Sequence, residues 1–173
     1  MTGLTEATPG TLARRAPNDA SDAVSSGLPS VDCTRTAVGS AGLVVESQAD
    51  GALHVVWNGK SKAWLQMGGD KPTDVSREAN GAMMLSLTVR VNTAPDREVR
   101  LGIGSASVPV TAELKALPAG SYATLALPLS CFSAQDLRTT PTIAHLETSG
   151  NLDLSVSEIR LTETRTGAAC PTQ

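Results

Sequence analysis

Aromatic side chains are nearly absent: Trp57, Trp64, Tyr122 and Phe132 are the only four in 173 residues. A core must therefore be filled by aliphatics, and an aromatic that points out of it is informative. Histidine is limited to His54 and His145. No serine sits in a G-x-S-x-G context and Cys131 has no histidine near it in sequence, which removes the usual nucleophile–base pairings. Gly68–Gly69 lacks the lysine and helix pattern of a phosphate-cradling loop. No apolar run of about 18 residues occurs, which excludes a transmembrane helix. No apolar stretch separates Met1 from Ala13-Arg14-Arg15, so no secretory leader is read there; the chain is expected to be cytoplasmic or a piece of a longer secreted protein. Basic charge is short too. The net charge is -3 and the longest basic run is Arg14–Arg15, so neither nucleic acid nor an anionic membrane is an expected partner.

The three cysteines, Cys33, Cys131 and Cys170, fit no zinc spacing, and at least one stays unpaired. Cys33 and Cys170 bracket the apparent domain, which makes them the candidate disulfide in an oxidising compartment. Three reduced, inert thiols are the alternative. Cys131, inside the apolar PLSCF segment, reads as a small buried hydrophobe.

What the chain does have is 40% apolar residues, enough for one domain with a sizeable core. Residues 1–38, rich in Ala, Ser, Thr, Pro, Gly and Asp, read as a linker or disordered lead-in. Residues 39–164 read as a β-sandwich and residues 165–173 as a tail. Short runs of β-branched and aliphatic residues recur about every ten residues between turn signals, the pattern of an all-β, antiparallel sandwich of jelly-roll type. Nine strands are expected. Leu53–Trp57 and Lys62–Met67 are expected to form a hairpin across Asn58–Gly59, and Glu98–Ile103 to pair back on Met83–Val91. Ala112–Leu117 reads as one or two helical turns. Pro128 marks an edge or a bulge.

Alternation then assigns faces. Leu85, Leu87, Val89 and Val91 point inward and Arg90 outward; Val99, Leu101 and Ile103 inward, Glu98 and Arg100 outward. Trp57 shares the phase of Leu53 and Val55 and belongs to the core, whereas Trp64 stands outward with Lys62 and Gln66. Tyr122 is the other outward aromatic. The last strand changes parity between Val156 and Ile159, which a bulge near Ser157–Glu158 would repair.

Three ordered blocks carry a family resemblance: Ala63-Trp64-Leu65-Gln66 with the Ser76–Gly81 loop and the strand after it; Leu114–Gly120 with Leu127-Pro128-Leu129-Ser130-Cys131-Phe132; and Leu146–Gly150 with Leu152–Ser155 and Ile159-Arg160-Leu161. Together, over roughly residues 40 to 163, they resemble the C-terminal domain of bacterial exo-1,4-β-glucan glucohydrolases of glycoside hydrolase family 3, the ExoP type. The resemblance implies a galactose-binding-like β-sandwich appended to a periplasmic or secreted β-glucosidase whose hydrolytic carboxylates lie in preceding domains. It also implies a cysteine pair after Val99–Ile103, where this chain has Gly104-Ser105-Ala106-Ser107.

No carboxylate pair stands out as a glycosidase acid and nucleophile, so the chain is expected to be non-catalytic. A pyranose offers a flat C–H face and a rim of hydroxyls, which an exposed aromatic and directional polar groups would meet. Trp64, Gln66, Lys62, Tyr122, Arg90, Arg100 and His145 are the candidate ligand-binding residues. Arg77, Glu78 and Asn80 are expected to fix their own loop. No cofactor is expected, although the fold admits a structural Ca²⁺, with Asp70, Asp74 and Asp153 as candidate ligands. The expected function is a non-catalytic accessory module of a β-glucan-degrading hydrolase, touching β-glucan or oligosaccharide or shaping the catalytic cleft. The alternative is a docking domain that stabilises the parent catalytic domains without binding sugar.

Overall fold

The computed structural model describes residues 30–31, 36–38, 42–67, 74–77, 83–132, 137–138, 144–163 and 169–172. Its strands are β1 (Ser30–Val31), β2 (Thr36–Val38), β3 (Leu43–Ser47), β4 (Leu53–Asn58), β5 (Ala63–Met67), β6 (Met83–Thr93), β7 (Val99–Ile103), β8 (Ala106–Pro109), β9 (Tyr122–Pro128), β10 (Ala144–Thr148) and β11 (Asn151–Glu163), and the helix α1 spans Thr111–Ala116. They form two antiparallel sheets. Sheet A runs β3-β4-β11-β6-β9, with β1 against β11, and sheet B runs β2-β5-β10-β7-β8.

The period-two pattern builds the sandwich directly. Leu53, Val55 and Trp57 of β4, Leu85, Leu87, Val89 and Val91 of β6, and Leu152, Leu154 and Val156 of β11 face Leu65 and Met67 of β5, Leu101 and Ile103 of β7 and Leu146 of β10, all buried in one cluster. Each fully buried Leu, Ile or Val contributes about 1.5–3 kcal/mol, so aliphatic burial carries the fold without aromatic mass. Trp57 is in the core as expected, 2% exposed, its Nε1 donating to Ala63 O at 3.2 Å. The expected bulge appears as a register shift between Val156 and Glu158, and a second lies between Asp153 and Leu154, where Asn92 is the extra residue on β6. The first restores Ile159 and Leu161 to the core. Pro128 ends β9, the edge strand of sheet A, where its missing N–H costs no ladder bond.

Four sequence expectations change. β4 and β5 form no hairpin: β4 pairs β3 and β11, while β5 pairs β2 and β10. Likewise β7 pairs β8 and β10 rather than β6. Alternation shows which residues face the core but not from which sheet, and a sandwich lets consecutive strands face each other across it. Paired strands also reach upstream of the expected boundary at residue 39, since β1 and β2 join sheets A and B. The disulfide joins Cys131 to Cys170, with Cα atoms 5.5 Å apart, not Cys33 to Cys170. Leu129 and Phe132 take the buried positions of the PLSCF segment, so the 3₁₀ turn Leu129–Cys131 leaves Cys131 half-buried and reachable by the C-terminal segment. Cys33 lies outside the described residues, as do residues 1–29 of the expected lead-in.

Candidate functional site

The outward residues of sheet A line up across all five main strands. Register pairs Glu46 with His54, His54 with Ser155, Ser155 with Arg90, and Arg90 with Tyr122, a continuous row from β3 to β9. Asn92, pushed out by its bulge, and Asp153 flank the row on one side. On the other side the β3–β4 turn folds over the sheet face. From it Gln48 Oε1 accepts from Arg90 Nη2 at 3.2 Å, and Asp50 Oδ2 accepts from the Tyr122 hydroxyl at 3.2 Å.

A dense hydrogen-bond set fixes this row. Arg90 Nη2 donates to Ser155 Oγ (3.1 Å) and Arg90 Nε to Asn92 Oδ1 (3.1 Å). Asn92 Nδ2 donates to Asp153 Oδ1 (2.9 Å) and Ser155 Oγ (3.3 Å). His54 Nε2 lies 2.8 Å from Asp153 Oδ1, and its Nδ1 is 3.9 Å from Glu46 Oε2. The Arg90 guanidinium also stacks on the Tyr122 ring, 4.9 Å from the centroid, a favourable placement for a cation on a ring face. Ser155, wholly buried under this network, is its anchor.

Two titrating groups are tuned in compatible directions. The Ala52 amide, aided by the Tyr122 hydroxyl and the Arg90 charge, holds Asp50 below its ordinary value. Partial burial, then the Asp50 charge, pushes the Tyr122 phenol upward. Asp50 thus stays an anionic acceptor and Tyr122 a neutral donor. A glycosidase acid needs the reverse, a carboxyl held protonated near neutrality. Nor do Ser155, His54 and Asp153 form a nucleophilic triad, because His54 engages Asp153 and Glu46 while Ser155 Oγ accepts from Arg90 and Asn92. The arrangement holds groups ready to accept and donate hydrogen bonds; it has no activated nucleophile.

The candidates read from sequence divide between opposite faces of the sandwich. Tyr122 and Arg90 lie in the sheet A row. Trp64, Gln66, Lys62, Arg100 and His145 lie on the outer face of sheet B, so a single cleft cannot contain all seven. Trp64 stands off the core as expected but is half-buried, opposite Glu147. Lys62 Nζ pairs with Glu147 Oε2 at 2.9 Å, and Arg100 is bound by Ser107 and Glu98. His145 lies against Gly102, where an added Cβ would sit 2.1 Å from the imidazole Cε1. Burial there pushes its pKa below the ordinary imidazole range.

Of the proposed Ca²⁺ ligands, Asp74 accepts from the Ser76 amide and hydroxyl, Asp153 belongs to the sheet A row, and Asp70 lies outside the described residues. Among the described residues no three His, Cys, Asp or Glu side chains are grouped to hold a metal ion. Arg77 is exposed; Glu78 and Asn80 lie outside the described residues. Sequence reasoning missed Gln48, Asp50, His54, Asn92 and Ser155 as members of one site. The outward phase of His54 and Ser155 was readable, but only the register brings five distant segments into one row.

No curated protein matches this chain. Among solved structures, it is similar to the extra C-terminal domain (X) of the exo-1,3/1,4-β-glucanase ExoP from a Pseudoalteromonas species, with TM-score 0.59 and 19% identity over 79% of this chain and 83% of that one. Against the whole ExoP enzyme the values are 0.56 and 18% over 75% of this chain, which spans 17% of that enzyme. A family 30 carbohydrate-binding module matches with TM-score 0.52 and 10% identity over 79% of this chain and 82% of that one. At these identities the likeness establishes the shared sandwich fold. The family profile Exop_C, described as galactose-binding domain-like, matches residues 19–161, well over half of the sequence, and the chain therefore belongs to that family.

Proposed function

We propose that this chain is a non-catalytic accessory module of a polysaccharide-degrading enzyme and that it binds neutral β-glucan on the outer face of sheet A. The carrying observation is the row Glu46–His54–Ser155–Arg90–Tyr122, where an exposed aromatic stands among polar groups already fixed by one another. A site whose side chains are ordered before binding loses little conformational entropy when ligand arrives. Asp153 Oδ2, without a protein partner among the described residues, and the exposed Glu46 offer acceptors for sugar hydroxyls. Tyr122 offers a stacking surface. The named activity of ExoP favours a glucan-type ligand and a hydrolase parent, and the name of the family 30 module favours carbohydrate binding. The family 3, β-glucosidase-type parent is the proposal that the motif resemblance favours.

The Cys131–Cys170 bridge favours a periplasmic or extracellular setting, because such bonds persist outside reducing cytoplasm. Isothermal titration of the chain with soluble β-glucans tests the reading. Wild type should release heat with at least one of them, and Tyr122→Ala should weaken that binding at least about tenfold, a loss of about 1.4 kcal/mol or more. A wild type silent with every β-glucan would replace this reading with the docking one.

A further inference from the structure

Among the described residues only two large apolar side chains are exposed, Val44 at 52% and Tyr122 at 37%. Scattered surface apolar residues are ordinary, but these two share the outer face of sheet A and stand at its opposite edges, on β3 and β9. Leu43 and Val45 pack toward the core, which turns Val44 outward with Glu46. Val44 pairs with Val56, itself outward and half-buried, and Val56 pairs with Asp153. The face therefore reads, from one edge to the other, as an apolar foothold, a polar middle of His54, Asp153, Asn92 and Arg90, and an aromatic foothold.

The charge on this face also discriminates. Glu46, Asp50 and Asp153 outnumber Arg90 even when His54 is counted as a cation. Such a surface disfavours uronates, sulfated sugars and phosphates. From β3 to β9 there are four inter-strand steps of about 4.8 Å, or about 19 Å in all. A β-linked pyranose unit advances by a similar step, so the units over the two edge strands lie about four apart and about five units cover the face when the chain lies across the strands.

Resting on the sugar-binding reading above, we infer that the ligand is an internal stretch of a linear, neutral β-glucan lying obliquely across the strands of sheet A, with one unit on Tyr122 and others about three to four units away on Val56 and Val44. A site that instead gripped a chain end would draw its affinity from one or two units. The internal-stretch seat makes affinity depend on length until both footholds are covered.

The test is isothermal titration of the chain with cello-, laminari- and mixed-linkage β-gluco-oligosaccharides of two to six units, for wild type and Val44→Asp. Affinity should climb about tenfold or more between two and five units and then level off. Val44→Asp, a change at an exposed position, should leave the melting temperature and the disaccharide affinity unaltered while removing the climb. An affinity already at its maximum with two units, or a climb that survives Val44→Asp, overturns the two-foothold seat and leaves sugar binding itself standing. Equal or tighter binding of an oligogalacturonate of four units overturns the neutral-ligand assignment. Silence with every oligosaccharide and with the polymers overturns both this inference and the reading beneath it.

Discussion

The Arg90 guanidinium lies over the Tyr122 ring at 4.9 Å from its centroid while its Nη2 donates to the fully buried Ser155. One side chain thus couples the exposed aromatic to the interior of the sheet. The planar fork permits this: Nε serves Asn92 as Nη2 serves Ser155 and Gln48.

Arg90→Lys tests that coupling. Lysine keeps the charge but has no fork, so it cannot hold Asn92, Ser155 and Gln48 together. Ser155 and Asn92 would lose a donor, at a cost of about 1–2 kcal/mol in stability. Glucan affinity should fall although no aromatic is touched. Chemical denaturation beside isothermal titration reads both effects, and unchanged affinity with lowered stability would restrict Arg90 to a structural role.

Trp64→Ala separates the two faces. The indole lies on the outer face of sheet B, opposite Glu147 and away from the sheet A row. Removing a half-buried indole should lower stability by about 1–3 kcal/mol, with glucan affinity within about twofold of wild type. A large loss of affinity in a variant that melts normally would move the sugar site to sheet B.

These two substitutions mark where sequence reasoning succeeds and where it stops. The alternation of β6 and β9 places Arg90 and Tyr122 outside the core, and the alternation of β5 does the same for Trp64. Period two reports inward or outward, but each sheet of a sandwich has its own outward side. Assigning β5 to sheet B and β9 to sheet A takes long-range pairing, which a single sequence does not encode locally. Asn92 illustrates the same limit. Its place in the site comes from a bulge against β11, whereas the Val156–Glu158 bulge is legible because two apolar phases collide within one strand. Cys131 departs from its sequence reading for a related reason: an apolar neighbourhood in sequence, PLSCF, becomes a tight turn that puts Leu129 and Phe132 inside and leaves Cys131 half-buried.

Gly102→Ala should be among the costlier single changes. The new Cβ would meet His145 Cε1 at 2.1 Å and the Ala106 carbonyl oxygen at 2.6 Å. The imidazole can swing away; the β8 backbone cannot without breaking its register with β7. A destabilisation of about 1–3 kcal/mol is expected. Adding His145→Ala should recover only part of it, and full recovery would show that the side chain alone caused the clash.

Cys170→Ser, or reduction of the wild type, removes the link that holds the C-terminal segment to the 3₁₀ turn after β9. With the two cysteines separated by 39 positions in sequence, chain-entropy arguments put the loss at about 2–4 kcal/mol. Cys131→Ser should match Cys170→Ser, and the double variant should cost no more than either. A double variant clearly less stable than the singles would mean that each thiol has a packing role of its own.

Acid should weaken the fold in two separate windows. Burial against Gly102 holds His145 below its ordinary value of 6.5, so the unfolded chain takes up the proton first. Its contribution is intact above about pH 6.5 and is lost as pH falls through the lower folded value. Asp96 is held below 3.8, chiefly by the Asn151 side chain and then by the Asn151 amide, and Asp74 is lowered likewise by Ser76. Asp50, lowered first by the Ala52 amide, behaves in the same way. Those contributions are present above the ordinary carboxylate range and are lost as pH drops through the folded values. Thermal melts from pH 8 to pH 2 should therefore decline gently below about 6.5 and steeply below about 4. His145→Asn should flatten the upper decline and leave the lower one. Asp96→Asn should melt lower at pH 7, because the replacement amide cannot accept from both Asn151 donors, and should show a shallower acid limb. An acid limb identical to wild type in Asp96→Asn would assign the loss to the other carboxylates and remove Asp96 from the account.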